Sequence, residues 1–262
     1  MTSDRVLQVS LSRGVATLTL DSPANRNALS RAMRAQLREA LADALADDAV
    51  RVVVLDHTGR VFCSGMDLSE AAGGPSESQG VREFPELLEL LWSAPKPVVA
   101  VVRGPARAGG VGLLAACDVV VAASSATFGF SEVRLGLVPA VISAVVLPRM
   151  TTHVAHRLML SGEVFDAATA AAGGLVDLVA DDDDLDVVLA GQLTALTAGA
   201  PAALAETKRL LRARQPGLSF EPLLDLSARF FAGEEGQEGI AAFREKRPAR
   251  WVPAADDPIP GR

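Results

Sequence analysis

Three short runs of this 262-residue chain, Val52 to Leu55, Pro97 to Val102 and Asp118 to Ala122, are apolar almost from end to end instead of alternating. Such runs read as short buried strands. Around them lies helical spacing. Ser30 stands where it would cap a helix running to about Ala46, with Met33, Leu37, Leu41 and Leu45 on one face. Further short helices are predicted over Gly109 to Ala116 and His153 to Leu160. Strands and helices that alternate through short connections argue for an α/β fold rather than α+β. At the N-terminus, Leu7, Val9 and Leu11 and then Val15 to Leu20 alternate around Ser12-Arg13-Gly14, the pattern of two half-buried strands and a turn.

After about residue 183 the character changes to helix: Leu185 to Thr197, Pro201 to Arg214, Phe220 to Phe231 and Glu234 to Lys246. In the third of these, Phe220, Leu223, Leu224, Ser227, Phe230 and Phe231 form a wide apolar stripe that needs cover, from the core or from a partner subunit. The chain is therefore expected to divide into a core over residues 1–200 and a helical segment over 201–262. The acidic run Asp181 to Asp184 reads as a solvated helix start favoured by the helix dipole.

The composition, 49% hydrophobic and 22% charged, is that of a soluble globular protein. Its net charge is −7, with three lysines (Lys96, Lys208, Lys246) and no basic cluster, which argues against a nucleic-acid partner. Cys63 and Cys117 are far apart and lack any CxxC, so they read as small buried hydrophobes. No run reaches the 18 or so apolar residues of a membrane span, and the N-terminus lacks a signal pattern. A cytoplasmic protein with no membrane contact is expected.

His57, His153 and His156 are the only histidines, and no GxSxG elbow accompanies them. His153 and His156 lack a carboxylate at helical spacing, so no metal site is expected. Gly110 to Ala115 matches GxGxxA with Glu132 twenty residues beyond Gly112, but the segment before the next strand is too short for a dinucleotide unit. A better reading is that this Gly-rich helix start leaves backbone N–H groups open. A second Gly-containing turn, Phe62 to Asp67, also follows a strand; two such N–H groups aimed at one oxygen would make an oxyanion hole. The small-residue segment 71–80 reads as a mobile surface loop or a lid.

Asn25-Arg26-Asn27-Ala28-Leu29-Ser30, then VFCSGMDL (61–68), VRGPARAGGVGLLAACD (102–118), FGFSEVRLGLVP (128–139) and AFREKRP (242–248) resemble, in order and spacing, the enoyl-CoA hydratase/isomerase family, or crotonase superfamily. The resemblance implies a crotonase-type spiral of repeated ββα units with a C-terminal helical trimerisation segment, assembled as a homotrimer or homohexamer. It implies an acyl-CoA thioester substrate, coenzyme A being part of that substrate and no separate cofactor being needed.

The same resemblance puts the thioester carbonyl between the N–H groups of Met66 and Gly109, where an enolate oxygen would be stabilised more than the ground state. Glu132 falls on the family's later catalytic glutamate. Gly112 falls where the best-known hydratases carry a first glutamate, so two-acid hydration does not carry over. The coenzyme would lie against Arg26, Ala28, Leu29, Ser64, Asp67 and Leu68, with Phe243 and Lys246 reaching it from a neighbouring subunit. Residues 137–143 resemble the branch that hydrates methylglutaconyl-CoA. In that branch Arg107 or Arg134 would face a substrate carboxylate, the plainer reading of either being a surface ion pair. The expected activity is hydration of an enoyl-CoA; the alternatives are a Δ3,Δ2-enoyl-CoA isomerase using the single glutamate and a non-catalytic acyl-CoA-binding subunit.

Overall fold

A computed structural model describes residues 5–71, 83–213 and 220–253. Strands β1 (Leu7–Ser12) and β2 (Val15–Leu20) form the expected hairpin, closed by Arg13 and Gly14 in the left-handed region. Beside β2 run β3 (Val52–His57), β4 (Val98–Val102), β6 (Val119–Ala123) and β9 (Leu178–Ala180), all parallel, in the order β1-β2-β3-β4-β6-β9. A second sheet pairs β5 (Ala106–Arg107), β7 (Thr127–Gly129) and β8 (Val164–Asp166). On the edge strand β1, Leu7 is buried while Val9 and Leu11 stay exposed.

The continuous apolar runs follow from burial on both faces of the larger sheet. Val52, Val54, Val99, Val101 and Val121 point to one side, under Leu185, Leu189 and Leu193 of α8 (Leu185–Thr197). Val53, Leu55, Val98, Ala100, Val102 and Val120 point to the other. There they meet α1 (Arg31–Ala46), capped by Ser30 Oγ on the Met33 N–H, then α3 (Glu83–Ser93) and α4 (Gly109–Ala116). Between α1 and α3 lies the short α2 (Leu68–Ala71). From residue 72 on, the loop or lid expected over 71–80 lies outside the described residues.

Helices α5 (Ala140–Arg149), α6 (Thr152–Ser161) and α7 (Ala167–Ala172) lead to β9 and α8. The predicted helical tail is present as α9 (Pro201–Arg212), α10 (Phe220–Ala232) and α11 (Glu234–Glu245). α9 packs back on the core: Lys208 and Arg212 meet Asp118 at 2.7 and 2.9 Å, and the Arg212 guanidinium lies 3.5 Å over the Trp92 ring. α11 packs on α10 and, through Gly239, on Trp251. The side chains at the start of the α10 stripe, 220–223, are outside the described residues; Leu224 and Phe231 are exposed. No single helix among the described residues is long and apolar enough to cross a membrane.

Candidate active site

The first turn is built by two loops locked together. Asn27, buried and at φ +52°, receives the Ser22 N–H on Oδ1 and donates Nδ2 to the carbonyls of Thr58 and Val61 at 2.9 and 2.8 Å. This satisfied side chain fixes the loop before α1 against the loop after β3. The Ser64 N–H then donates to Arg26 O, and the Leu29 N–H to Gly65 O at 2.8 Å, so that Leu29 pairs with Met66 in a parallel bridge. In that geometry the Met66 N–H points away from Leu29. Arg26, Ala28, Leu29, Ser64, Met66, Asp67 and Leu68 therefore lie on two adjoining loops. Ala28 and Leu29 are buried, and Asp67 Oδ1 accepts from Ser69 N and Oγ at the start of α2.

The second turn lies alongside. Phe62 N donates to Pro105 O and Arg107 N to Cys63 O, and Cys63 pairs with Ala106. Ala108 then takes φ +46°, ψ −118°, a conformation that a residue with a Cβ seldom adopts, with its N–H donated to Gly129 O. That turn sets Gly109 as the first residue of α4, where no intrahelical acceptor exists for its N–H and Ala108 supplies no side-chain cap. The two turns touch because side chains are missing: a Cβ at Gly65 would stand 3.4 Å from the Gly109 nitrogen, and one at Gly110 would stand 2.7 Å from Cys63 O.

Gly112 faces a filled space. A Cβ there would be 2.5 Å from Ile142 Cγ2 and 3.5 Å from Phe84 Cζ, so α3 and α5 occupy the volume a longer side chain would need. Ile142 is itself only 3% exposed and sits over the Gly.

Glu132 opens a 3-10 turn, Glu132–Leu135, three residues past the Gly129 carbonyl that holds Ala108. Its Oε2 is buried without a hydrogen-bond partner. Burial holds its carboxyl above the usual glutamate range, against a smaller opposing pull from its own backbone N–H. Among the described residues the two neighbouring arginines bond to neutral oxygens. Arg134 donates Nε to Ser161 O, and Arg107 donates to Ala106 O, Thr127 O and Thr127 Oγ1; no ion pair of either is among those of the described residues.

Phe243 and Lys246 are elsewhere in the same chain. Phe243 is 86% exposed on α11, and Lys246 ends that helix at φ +53°. Both cysteines are buried, with thiols pushed up to about 12 by burial. His57 is buried, accepts the Arg103 N–H on Nε2, and is held below the usual range by that burial. Among the described residues no three His, Cys, Asp or Glu side chains gather as a metal site. Sequence reasoning passed over Phe84 and Arg34, and met Ile142 only within the 137–143 resemblance. The stripe Phe84, Leu87, Leu88, Leu91 was the available signal for α3.

The family model described as enoyl-CoA hydratase/isomerase matches residues 10–253. The 2,3-dehydroadipyl-CoA hydratase of Escherichia coli is 38% identical over 249 residues, covering 92% of this chain and 96% of its own. Among solved structures, Pseudomonas aeruginosa AtuE superposes with a TM-score of 0.88 at 38% identity, covering 95% of this chain and all of its own. An enoyl-CoA hydratase of Mycobacterium smegmatis superposes at 0.87 and 31% identity, with coverage of 95% and 99%.

Proposed function

This chain belongs to the enoyl-CoA hydratase/isomerase family with its crotonase fold, and from that premise we propose that it adds water reversibly to an α,β-unsaturated acyl-CoA thioester. The thioester oxygen accepts from the N–H groups of Met66 and Gly109. Glu132 takes a proton from water as its oxygen bonds to the β carbon, and the alkene electrons move onto the thioester oxygen as an enolate. The protonated Glu132 then returns the proton to the α carbon. Two fixed donors favour the enolate over the neutral thioester, an effect worth roughly 3 kcal/mol for one good donor.

The observation that carries this reading is Glu132 Oε2, buried without a partner on a carboxyl whose proton affinity is raised by that burial. Buried acids are as a rule paired, and a carboxyl with one oxygen left open and its proton affinity raised suits proton exchange. The purified protein with crotonyl-CoA in oxygen-18 water should form a labelled 3-hydroxyacyl thioester, and Glu132→Gln should lower that rate by about 10²-fold or more. The second reading, a Δ3,Δ2-enoyl-CoA isomerase, is favoured by the filled space at Gly112, which leaves one acid. It predicts conversion of a 3-enoyl-CoA with no label. Thioester binding without turnover, unchanged by Glu132→Gln, would leave only the binding-subunit reading. Because the Escherichia coli relative is named for a dehydroadipyl thioester, carboxylated enoyl thioesters belong in the same screen.

We also propose that residues 201–262 include the assembly segment, as a homotrimer or homohexamer. Leu224, Phe231 and Phe243 are 65%, 67% and 86% exposed, and a cleft of about 580 Å³ runs past Phe230, Phe231, Ile240, Phe243 and Trp251. Sedimentation giving a monomer mass would refute this. In that assembly Phe243 and Lys246 reach a neighbour's coenzyme, and Lys246→Ala that left thioester affinity intact at low salt would remove Lys246 from it.

A further inference from the structure

We propose that Arg34 is a positioning residue for this reaction, a buried clasp that sets the Met66 donor turn against the wall beside Gly109. The proposal rests on the oxyanion-hole reading above. Arg34 lies on the core face of α1 beside Met33 and Leu37, and its side chain is 2% exposed. A guanidinium in such a place is costly to desolvate, and an apolar residue would pack there more simply.

Among the described residues, its donors are directed at the surroundings of the site. Nη1 donates to Leu29 O at 2.6 Å, while Nε and Nη2 both donate to Glu83 Oε2 at 3.1 and 3.0 Å. Glu70 Oε2 stands 3.7 Å from Nη1, and the same carboxylate takes the Arg31 N–H at the start of α1.

Each contact is one step from a group that matters. The Leu29 peptide is gripped at its carbonyl by Arg34 and gives its N–H to Gly65 O, and Leu29 is the ladder partner of Met66. Its Cδ1 lies 3.0 Å from where a Gly109 Cβ would be. Glu83 precedes Phe84, whose Cζ lies 3.3 Å from that same Gly109 position and 3.5 Å from the corresponding point at Gly112. One guanidinium therefore holds both the loop that aims the Met66 N–H and the helix whose ring walls Gly109. Loss of either grip lets the two donors drift apart, and oxyanion stabilisation is steep in donor position.

The test compares Arg34→Met, which keeps bulk and removes the donors, with Arg34→Lys, which keeps charge but not the fork. With crotonyl-CoA, Arg34→Met should lose kcat by about 10²-fold with KM within about threefold, and Arg34→Lys should recover part of it. Amide exchange at Leu29 and Ser64, whose N–H groups are bonded to Gly65 O and Arg26 O across the two gripped loops, should speed up by about tenfold in Arg34→Met. A folded Arg34→Met with wild-type kcat per site, or with unchanged exchange at both amides, overturns the proposal, whatever its melting temperature. Should Arg34→Met not fold, the double variant Glu70→Gln, Glu83→Gln loosens the same clasp and is read in the same way. If the wild-type protein hydrates no enoyl thioester, the hydration reading falls by itself, and the exchange measurement still decides for or against Arg34.

Discussion

Arg34 and Asp118 are both charged groups set against the apolar core, and they are wired in opposite senses. Around Arg34, one cation meets two carboxylates whose side chains keep 36% and 52% exposure. Around Asp118, one carboxylate meets Lys208 and Arg212, which keep 10% and 18%, and also takes the Val98 N–H at 2.8 Å. The first cluster joins loops and helix ends next to the donor turns; the second fastens α9 to the sheet. Water can solvate the acids left when Arg34 is removed, but it reaches the cations left by removal of Asp118 far less well. Similar ion-pair chemistry thus serves geometry in one place and anchorage in the other.

The largest effect should come from Asp118→Ala, which leaves two poorly solvated cations and an unpaired Val98 N–H. A loss of about 3–5 kcal/mol in unfolding free energy is expected from urea titration, with kcat per folded molecule retained. An equal loss from Arg34→Met would break the comparison, since about 1–2 kcal/mol is expected there for an unmet Leu29 carbonyl and two acids that water can reach. Between them falls Gly112→Ala. Its Cβ would meet Ile142 Cγ2 at 2.5 Å, so overpacking should cost about 1–3 kcal/mol in thermal or urea unfolding, and Ile142→Ala in the same chain should relieve part of it.

The smallest effect is a pH-dependent one at Glu132. Its folded-state pKa is raised by burial, so the folded protein binds this proton more tightly than the unfolded chain does. The carboxylate therefore opposes folding above its folded-state pKa, and that penalty disappears as the pH falls through the ordinary glutamate range. Glu132→Gln should accordingly be more stable than wild type at neutral pH, with the gain shrinking under acid, while activity is lost. A Gln variant less stable at neutral pH would mean that the carboxylate has a partner.

Much of the fold was legible because burial leaves a periodic trace. Val52 to Leu55 and Pro97 to Val102 carry no polar face, and in β3 and β4 residues 52–55 and 98–102 are buried throughout. Ser30 announced its helix by the chemistry of its hydroxyl. The candidate site was partly legible for the same reason: glycines at 65, 109 and 110 mark close backbone approach, and Glu132 stands out in an apolar, glycine-punctuated segment. The helix at Glu83–Ser93 was equally readable in its Phe84-Leu87-Leu88-Leu91 spacing, although nothing in that spacing says that Phe84 faces Gly109.

By itself, then, the sequence determined the α/β class, the hairpin, the helices α1, α4, α6 and those from α8 on, and the motifs that identify the family, since each depends on neighbours within a turn or a strand; α3, α5 and α7 went unread. Only the tertiary structure decided that Ile142 fills the space over Gly112, that Arg34 spans Leu29 and Glu83, and that Arg107 serves Thr127 rather than an acid. Local pattern states which side chains leave water. Which buried groups then meet is settled by packing between separate elements, where volume and hydrogen-bond geometry have to be satisfied together.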